Sequence, residues 1–440
     1  MKIVIIGSGL AGLSAGYRLC KSNEVTVFEK DPDIGGMSAS YSLEHSGKKY
    51  FIEKYYHHIF RSDSELLALI KELGLEKQML WLEGKNAYFV DGKNYPMNTP
   101  VEILHFSPLS ILDLAKLGLL VLRIKLIKDT TPYDRIKAKD WILGTAGKSV
   151  YDNFFAPLMK SKFGDNAGNV SAAWLIGRVK IRSDRGTEGE KLGYMQGGFN
   201  SLIEALAGEI TANGGEIRTN REVTEIVIKD NAVQGVVVDG DFIACDAVIS
   251  TVEPAVLDTI AGGKLGALHD TLKSIRYQGT VCALIGLDRS LMEDGNYWLN
   301  IKADVPFGAV IEHTNFLPFE DYGENLVYVT SYFQDEKNSL WTQKEEDVID
   351  SYLKGLESMF PEFSRKDVRW TKLYRRIDTA PVYEQGYLEK VLPFAPGTSG
   401  LFLAGMFSSS NYPERSMNGS VKAGFESAEL LIKEKGIRNQ

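Results

Sequence analysis

The chain has 440 residues, of which 44% are apolar and 25% are charged, so it can bury a sizeable core and divide into two lobes. Its formal net charge of −8 excludes an overall basic surface of the kind that binds nucleic acid. Cys20, Cys245 and Cys282 are far apart and form no CxxC pair, which argues against a disulfide framework or a structural zinc site and favours a cytoplasmic setting.

The first elements predict a strand, a glycine-rich turn and a helix. Residues 2–6 (KIVII) are typical of a parallel strand that is buried on both faces. Beyond the turn, apolar side chains recur three and four positions apart, which predicts an amphipathic helix. The turn between these elements is Gly7-Ser8-Gly9-Leu10-Ala11-Gly12.

This order of elements predicts a dinucleotide site. Gly7 permits the tight turn, Gly9 lets the backbone approach a pyrophosphate, and Gly12 lets the helix pack closely on the strand. The amides at the start of the helix are expected to point at the phosphates.

A second predicted strand, residues 25–28, ends at Glu29, which is 22 residues after Gly7. An acid at this spacing is typical of a contact with the ribose hydroxyls of adenosine. Glu29 and its neighbour Lys30 are therefore predicted cofactor contacts. The alternative is that Glu29 is a surface glutamate that follows an ordinary glycine turn.

The next residues carry a family resemblance. Gly35-Gly36-Met37-Ser38 resembles the second flavin motif of amine oxidases, phytoene desaturases and protoporphyrinogen oxidases. Met37 stands in place of the usual arginine. UDP-galactopyranose mutases, which resemble the same superfamily, also lack this arginine. The resemblance implies that FAD is the cofactor and that these four residues contact it.

Residues 51–60 resemble the family segment that passes beside the isoalloxazine ring. The resemblance implies a catalytic role for His57 or His58, because a histidine near the flavin can stabilise negative charge or move a proton. Adjacent side chains of an extended segment point in opposite directions, so we expect at most one of the pair to face the flavin. The remaining histidines lack the spacing of metal ligands, and no metal site is predicted.

Residues 109–127 are the most apolar region, and charged residues divide them in the pattern of an amphipathic helix. No uncharged run approaches the roughly 20 residues that a membrane-spanning helix needs. Two interpretations stay open. The helix packs on the core, or it is a lid that makes weak contact with a membrane surface through Arg123, Lys125 and Lys128.

Two later segments resemble further parts of the flavin domain. Gln196-Gly197-Gly198-Phe199 resembles the turn by which the chain re-enters that domain. Val223 lies in a predicted strand whose backbone pairs with adenine in related folds, and Thr251 follows a strand near the cofactor.

The carboxyl end resembles the closing flavin motif. A buried strand leads to Gly405 and Met406, and a final helix begins near Met417 and Ser420. The resemblance implies that the positive end of this helix points at the flavin pyrimidine edge. Between Gly405 and Gly419 there is no cysteine, so we expect the FAD to be bound non-covalently.

The segments between these motifs predict the substrate lobe. Arg375 and Arg376 could bind an anionic substrate or pair with acids such as Asp378, and Tyr383 resembles part of the family's return strand toward the flavin. Most of the aromatic residues of this lobe are expected to belong to its core rather than to line a pocket, and they are Trp298, Tyr328, Tyr332, Tyr374, Tyr383 and Tyr387.

The resemblance implies an α/β fold in which two domains interleave. One is a Rossmann-like FAD-binding domain of the glutathione-reductase type, with ββα layers, formed by residues 1–79, 195–277 and 399–440. The other is a mixed-sheet α+β substrate domain, formed by residues 80–194 and 278–398.

The function implied is that of an FAD-dependent oxidoreductase, an oxidase or a dehydrogenase, that removes a hydride from an unidentified small molecule, for which a lipophilic character is one option. One alternative is a UDP-galactopyranose mutase-like enzyme that uses reduced FAD on a nucleotide sugar. Another is an escort for prenylated proteins that resembles GDP-dissociation inhibitors.

Overall fold

The computed structural model describes residues 1–45, 47–183, 191–434 and 436. Within these residues the strands are β1 (Lys2–Ile6), β2 (Glu24–Phe28), β3 (Ser40–His45), β4 (Lys48–Glu53), β5 (Met79–Glu83), β6 (Asn86–Val90), β7 (Lys93–Pro96), β8 (Lys191–Met195), β9 (Glu216–Arg218), β10 (Val223–Lys229), β11 (Ala232–Val238), β12 (Asp241–Ala244), β13 (Ala247–Ser250), β14 (Tyr277–Leu287), β15 (Trp298–Lys302), β16 (Ala309–Glu312), β17 (Asn325–Phe333), β18 (Val368–Pro381) and β19 (Leu401–Leu403).

The α-helices are α1 (Leu10–Leu19), α2 (Ser64–Glu72), α3 (Pro100–Leu104), α4 (Ile111–Leu126), α5 (Ala138–Thr145), α6 (Lys148–Val150), α7 (Ala156–Phe163), α8 (Ala172–Ser183), α9 (Asn200–Ala212), α10 (Pro254–Ile260), α11 (Leu268–Ser274), α12 (Ser339–Thr342), α13 (Glu345–Met359) and α14 (Met417–Glu434). Short 3-10 segments connect several of these elements.

The first lobe is built on a five-stranded parallel sheet with the order β19-β13-β1-β2-β9. In β1, Ile3 and Ile5 belong to the core that includes α1, while Val4 and Ile6 pack toward the antiparallel β10-β11-β12 sheet. Both faces of β1 are covered, which explains why its sequence is continuously apolar.

The second lobe is built on a seven-stranded mixed sheet with the order β18-β14-β17-β16-β15-β6-β7. All neighbours in it are antiparallel except β15 and β6. One face packs on α13, and the other face packs toward β4, β8 and the start of α9. The predicted fold class, a Rossmann-like domain combined with a mixed-sheet domain, is confirmed.

The strands of the two main sheets alternate along the chain. The five-stranded sheet draws on residues 2–28, 216–250 and 401–403, whereas the seven-stranded sheet draws on residues 86–96 and 277–381. The two lobes are therefore interleaved, and the domain boundaries given above stay a prediction.

The apolar region at residues 109–127 forms α4, which begins after Ser110, whose hydroxyl accepts a hydrogen bond from the backbone amide of Asp113. One face of α4 is buried through Leu114, Leu117, Leu120 and Ile124. The opposite face is exposed. Among the described helices, none combines the length and the apolar character that crossing a bilayer requires.

Candidate functional site

A cavity of about 1450 Å³ is lined by residues of both lobes. It exceeds the roughly 300–1000 Å³ of an ordinary small-molecule site, so it can accommodate more than one ligand. The predicted cofactor residues that line it are Gly7, Gly9, Leu10, Ala11, Glu29, Lys30, Gly35, Gly36, Met37, Ser38, Val223, Thr251, Gly405, Met406, Met417 and Ser420.

The first turn of the chain forms one wall of the cavity. Gly7 has a φ of +99°, and a β-carbon there would lie 2.4 Å from the Thr251 hydroxyl oxygen. A β-carbon on Gly12 would lie 2.0 Å from the carbonyl oxygen of Gly7, so both positions need glycine. Gly9 has open space beside it and directly precedes α1, which leaves its backbone accessible to a ligand.

Glu29 lies at the end of β2, and hydrogen bonds from Ser8 and Asp31 hold its carboxylate in place. Its Oε2 accepts hydrogen bonds from the amide of Ser8 at 2.8 Å and from the hydroxyl of Ser8 at 2.7 Å. Its Oε1 accepts from the amide of Asp31 at 3.0 Å. Ser8 and Gly12 lie behind the cavity wall, so they shape the turn rather than face the cavity.

The start of α14 forms a second wall. Asn411 accepts from the Ser416 amide and donates to the Gly405 carbonyl, each at 3.1 Å, and thereby ties the end of β19 to the start of this helix. The helix begins at Met417, so its amides and its positive dipole end lie at the cavity. Two helix starts and a glycine turn around one cavity fit a dinucleotide that carries a flavin.

Both predicted catalytic histidines line the cavity, in the segment after β4. The Nδ1 atom of His57 is 2.8 Å from the carbonyl oxygen of Tyr55, whereas the His58 ring lies against Phe60 and Trp298. Burial lowers the pKa of His57. Burial also lowers the pKa of His58, and this pKa falls well below its ordinary value because the positive charges of Arg182 and Arg178 act in the same direction.

A buried carboxylate holds this histidine segment in place. Glu53 accepts hydrogen bonds at 2.6 Å from the Tyr194 hydroxyl and from the Phe199 amide, and its own carbonyl accepts from the Tyr328 hydroxyl. Burial raises the pKa of Glu53. Phe199 closes the predicted glycine turn at residues 196–199, so Glu53 joins that turn to β4.

The predicted substrate residues separate in the structure. Arg376 lines the cavity, but it donates to Glu253 at 3.0 Å and to Asp378 at 2.8 Å. Arg375 lies outside the cavity and donates to backbone carbonyls of residues 340–343. Tyr383 is also outside, where its hydroxyl donates to the carbonyl of Asn411.

Trp298 and Tyr332 line the cavity, whereas Tyr328, Tyr374, Tyr383 and Tyr387 do not. The hydroxyl of Tyr332 is 2.9 Å from the hydroxyl of Tyr56, a cavity residue that the sequence did not single out. The expectation that most of these aromatic residues belong to the core agrees with their positions.

The cavity is also lined by a group of charged residues that no sequence pattern indicated. They are Lys162, Arg178, Arg182, Glu414 and Arg415. Glu414 and Arg415 stand just before the predicted final helix, and this position is the sequence feature that could have marked them as cavity residues. The other three lie on α7 and α8, where no motif marks them.

Known proteins resemble this chain along most of its length. The 15-cis-phytoene desaturase of Synechococcus elongatus is 22% identical over 467 residues, which cover 98% of this chain and 96% of that protein. The coproporphyrinogen III oxidase of Staphylococcus aureus is 25% identical over 260 residues, which cover 51% of this chain and 54% of that protein.

A solved structure of reduced UDP-galactopyranose mutase matches with a TM-score of 0.75 at 17% identity, covering 100% of this chain and 96% of that one. At this identity the likeness shows the fold alone. The family model described as flavin containing amine oxidoreductase matches residues 10–432. The chain is thus an FAD-dependent oxidoreductase, and it belongs to the flavin-containing amine oxidoreductase family.

Proposed function

We propose that this oxidoreductase removes a hydride from a lipophilic small molecule while it holds FAD non-covalently. The observation that carries the proposal is the continuity of the cavity, which extends from the glycine turn past His57 and His58 to the apolar helices α3 and α4. FAD, when bound, supplies an isoalloxazine ring that accepts the hydride.

The residues of the chain have separate roles in this proposal. The turn at Gly7 and Gly9 and the first amides of α1 bind the pyrophosphate, and Glu29 is placed to accept from the ribose. The start of α14 would place its positive dipole end at a bound flavin ring and stabilise negative charge there. His57 and His58, whose lowered pKa values keep them neutral near pH 7, are available to accept a proton from the substrate.

The character of the far end of the cavity supports a lipophilic substrate. Helices α3 and α4 line it with aliphatic side chains, which are Ile103, Leu104, Leu114, Leu117, Val121 and Leu122. An apolar wall of this kind excludes water and provides no hydrogen bonds, so it favours the apolar part of a ligand.

We further propose that the exposed apolar side chains of α3 and α4, the apolar rim, rest on an anionic membrane surface at the mouth of the cavity, which Leu104 and Leu122 also line. Of the ten large exposed apolar residues among those the structure describes, seven lie here: Val101, Leu104, Ile111, Leu112, Leu119, Leu122 and Leu126. Patches of this kind mark interaction sites. A substrate dissolved in the membrane would then reach the cavity directly.

Charge favours a lipid surface as the occupant of the apolar rim. Lys116, Arg123 and Lys125 are the basic residues of α4, whereas Asp113 is its one acid and is bonded to Ser110 and Lys116. Aliphatic residues flanked by basic ones suit the boundary between acyl chains and anionic headgroups.

Anaerobic mixing tests the redox proposal. Purified holoenzyme is mixed without oxygen with candidate lipophilic amines and polyenes, and the absorbance of the oxidised flavin is followed. Bleaching by a substrate supports the proposal, and a parallel mixture with no substrate is the control. Isomerisation of a UDP-sugar only after dithionite reduction, with no bleaching by any candidate, would favour the mutase-like alternative.

Denaturation of the purified protein tests how the flavin is held. Acid precipitation should release yellow flavin into the supernatant, because Cys20, Cys245 and Cys282 all lie outside the cavity lining. These three cysteines are free and buried, which also supports a cytoplasmic setting. Flavin that stays with the precipitate contradicts non-covalent binding, and a colourless protein that cannot bind FAD would favour the escort alternative.

A further inference from the structure

Charged side chains gather in one part of the cavity, at the junction of α7, α8 and the start of α14. We call this group the cationic cluster, and it consists of Lys162, Arg178 and Arg415 around Glu414, together with Arg182, which lines the same cavity. The Nζ atom of Lys162 is 3.5 Å from Oε1 of Glu414, and Nη1 of Arg178 is 3.3 Å from the same oxygen. One carboxylate therefore serves several cations.

The positive charge of the cluster exceeds what Glu414 neutralises. Burial pushes the pKa of Glu414 upward, but Lys162, Arg178 and Arg415 outweigh it and hold the pKa below its usual value, so this carboxyl is ionised. Three arginines remain charged at any physiological pH. Even without Lys162 and Arg182, the two charges of Arg178 and Arg415 exceed the single negative charge of Glu414 inside the cavity.

Arg415 is the clearest sign of a missing partner. Among the described residues, its buried Nη1 atom has no hydrogen-bond acceptor, and the Oε2 atom of Glu414 has no donor. A buried guanidinium N–H without an acceptor is costly, and native proteins rarely retain one without a ligand or water. Because Arg415 lines the cavity, an acceptor on a bound molecule could meet it.

The cluster lies next to the predicted reaction site. The charge of Arg415 acts on His57, and Arg178 and Arg182 act on His58. The guanidinium carbon of Arg182 is 5.4 Å from the centre of the Trp298 ring. A group bound by the cluster would therefore be close to both histidines.

We propose that the cationic cluster binds a phosphate or carboxylate group of the substrate, which makes the substrate an amphiphile with one anionic end. Guanidinium groups match the geometry of both oxyanions and bind them through paired hydrogen bonds. The apolar wall at α3 and α4 then receives the remaining part of the molecule. This inference rests on the proposed function in one respect, that the bound molecule is the substrate.

Anion binding to the oxidised holoenzyme tests the inference without any turnover. Inorganic pyrophosphate and succinate are titrated separately at constant ionic strength, and binding is followed by the perturbation of the flavin spectrum and by calorimetry. We expect one of them to bind to the wild type. Arg415→Gln should weaken the affinity for that anion at least about tenfold, because the substitution removes a charge-assisted pair of hydrogen bonds.

Matched variants separate the cluster from general charge effects. Arg289→Gln removes an arginine whose partner is the nearby Glu293, outside the cavity, and should leave anion binding unchanged. Arg415→Lys should recover part of the affinity. If Arg415→Gln fails to retain flavin, Arg178→Gln provides the same comparison.

The outcomes are distinct. Preference for pyrophosphate indicates a phosphate-bearing substrate, and preference for succinate indicates a carboxylate-bearing one. The inference is overturned if neither anion binds, or if the cluster variants bind as well as the wild type. Bleaching of the flavin by a neutral lipophilic compound with no anion binding would overturn it while leaving the proposed function intact.

Discussion

Gly424 in α14 lies against the carbonyl oxygen of Ala11 in α1, so closely that a β-carbon on Gly424 would be 2.3 Å from that oxygen. The two helices come from opposite ends of the chain, and the start of each lies at the same cavity. Their contact therefore sets the distance between the glycine turn and the second helix start.

Gly424→Val should destabilise the protein by about 1–3 kcal/mol, because the added carbons overpack the contact between α1 and α14. Flavin affinity should fall as well, since the two helix starts move apart. Denaturant unfolding and FAD titration measure the two effects. Gly208→Ala is the control, because a β-carbon there meets nothing within 4 Å. Unchanged stability and affinity in Gly424→Val would contradict the role of this contact.

Gly9→Ala should separate cofactor binding from folding. A β-carbon on Gly9 has no neighbour within 4 Å and its φ is −65°, so the flavin-free protein should keep its melting temperature. The methyl group would occupy the space through which the backbone approaches the pyrophosphate, so FAD affinity should fall at least about tenfold. Equal affinity of variant and wild type would show that the pyrophosphate lies elsewhere.

Leu112→Gln combined with Leu119→Gln should weaken membrane binding. These residues are 74% and 67% exposed on the apolar rim. Each leucine that inserts into the membrane contributes on the order of 1–2 kcal/mol to the free energy of membrane binding. Sedimentation with phosphatidylglycerol-containing vesicles should show at least about a tenfold loss. Phe242→Gln, at a site 55% exposed on β12, should have no effect. Equal vesicle binding by the wild type, the double variant and Phe242→Gln would rule out the apolar rim as the membrane contact.

His58 should make the stability depend on pH. Because burial and the nearby arginines lower its folded pKa, the unfolded chain binds a proton more readily, and stability is lost as pH falls below about 6.5. In His58→Gln, the free energy of unfolding should decline less steeply below this pH, by up to about 1.4 kcal/mol per pH unit. Urea unfolding of both proteins at several pH values between 5 and 8 measures the difference. Parallel curves would contradict a lowered pKa.

Local sequence was sufficient to predict the glycine turn and the acid that line one side of the cavity. The turn from Gly7 to Gly12 joins a strand directly to a helix. Contacts with Thr251 and within the turn require Gly7 and Gly12, and Gly9 leaves open space beside the backbone. The end of β2 places Glu29 beside the same turn. Such units have recognisable sequences because their conformation is set by neighbours along the chain.

The side of the cavity that holds the cationic cluster depends on contacts between distant residues. Lys162 and Glu414 are 252 positions apart, and Glu53 meets Phe199 across 146 positions. Arg375 and Arg376 are adjacent in sequence, yet only Arg376 reaches the cavity, because successive side chains of β18 point to opposite faces. The sequence by itself determined the glycine turn, the acid that follows β2 and the final helix, all of which the structure places at one cavity. The tertiary structure decided which charged residues line the rest of that cavity, because packing brings them together and spacing along the chain does not.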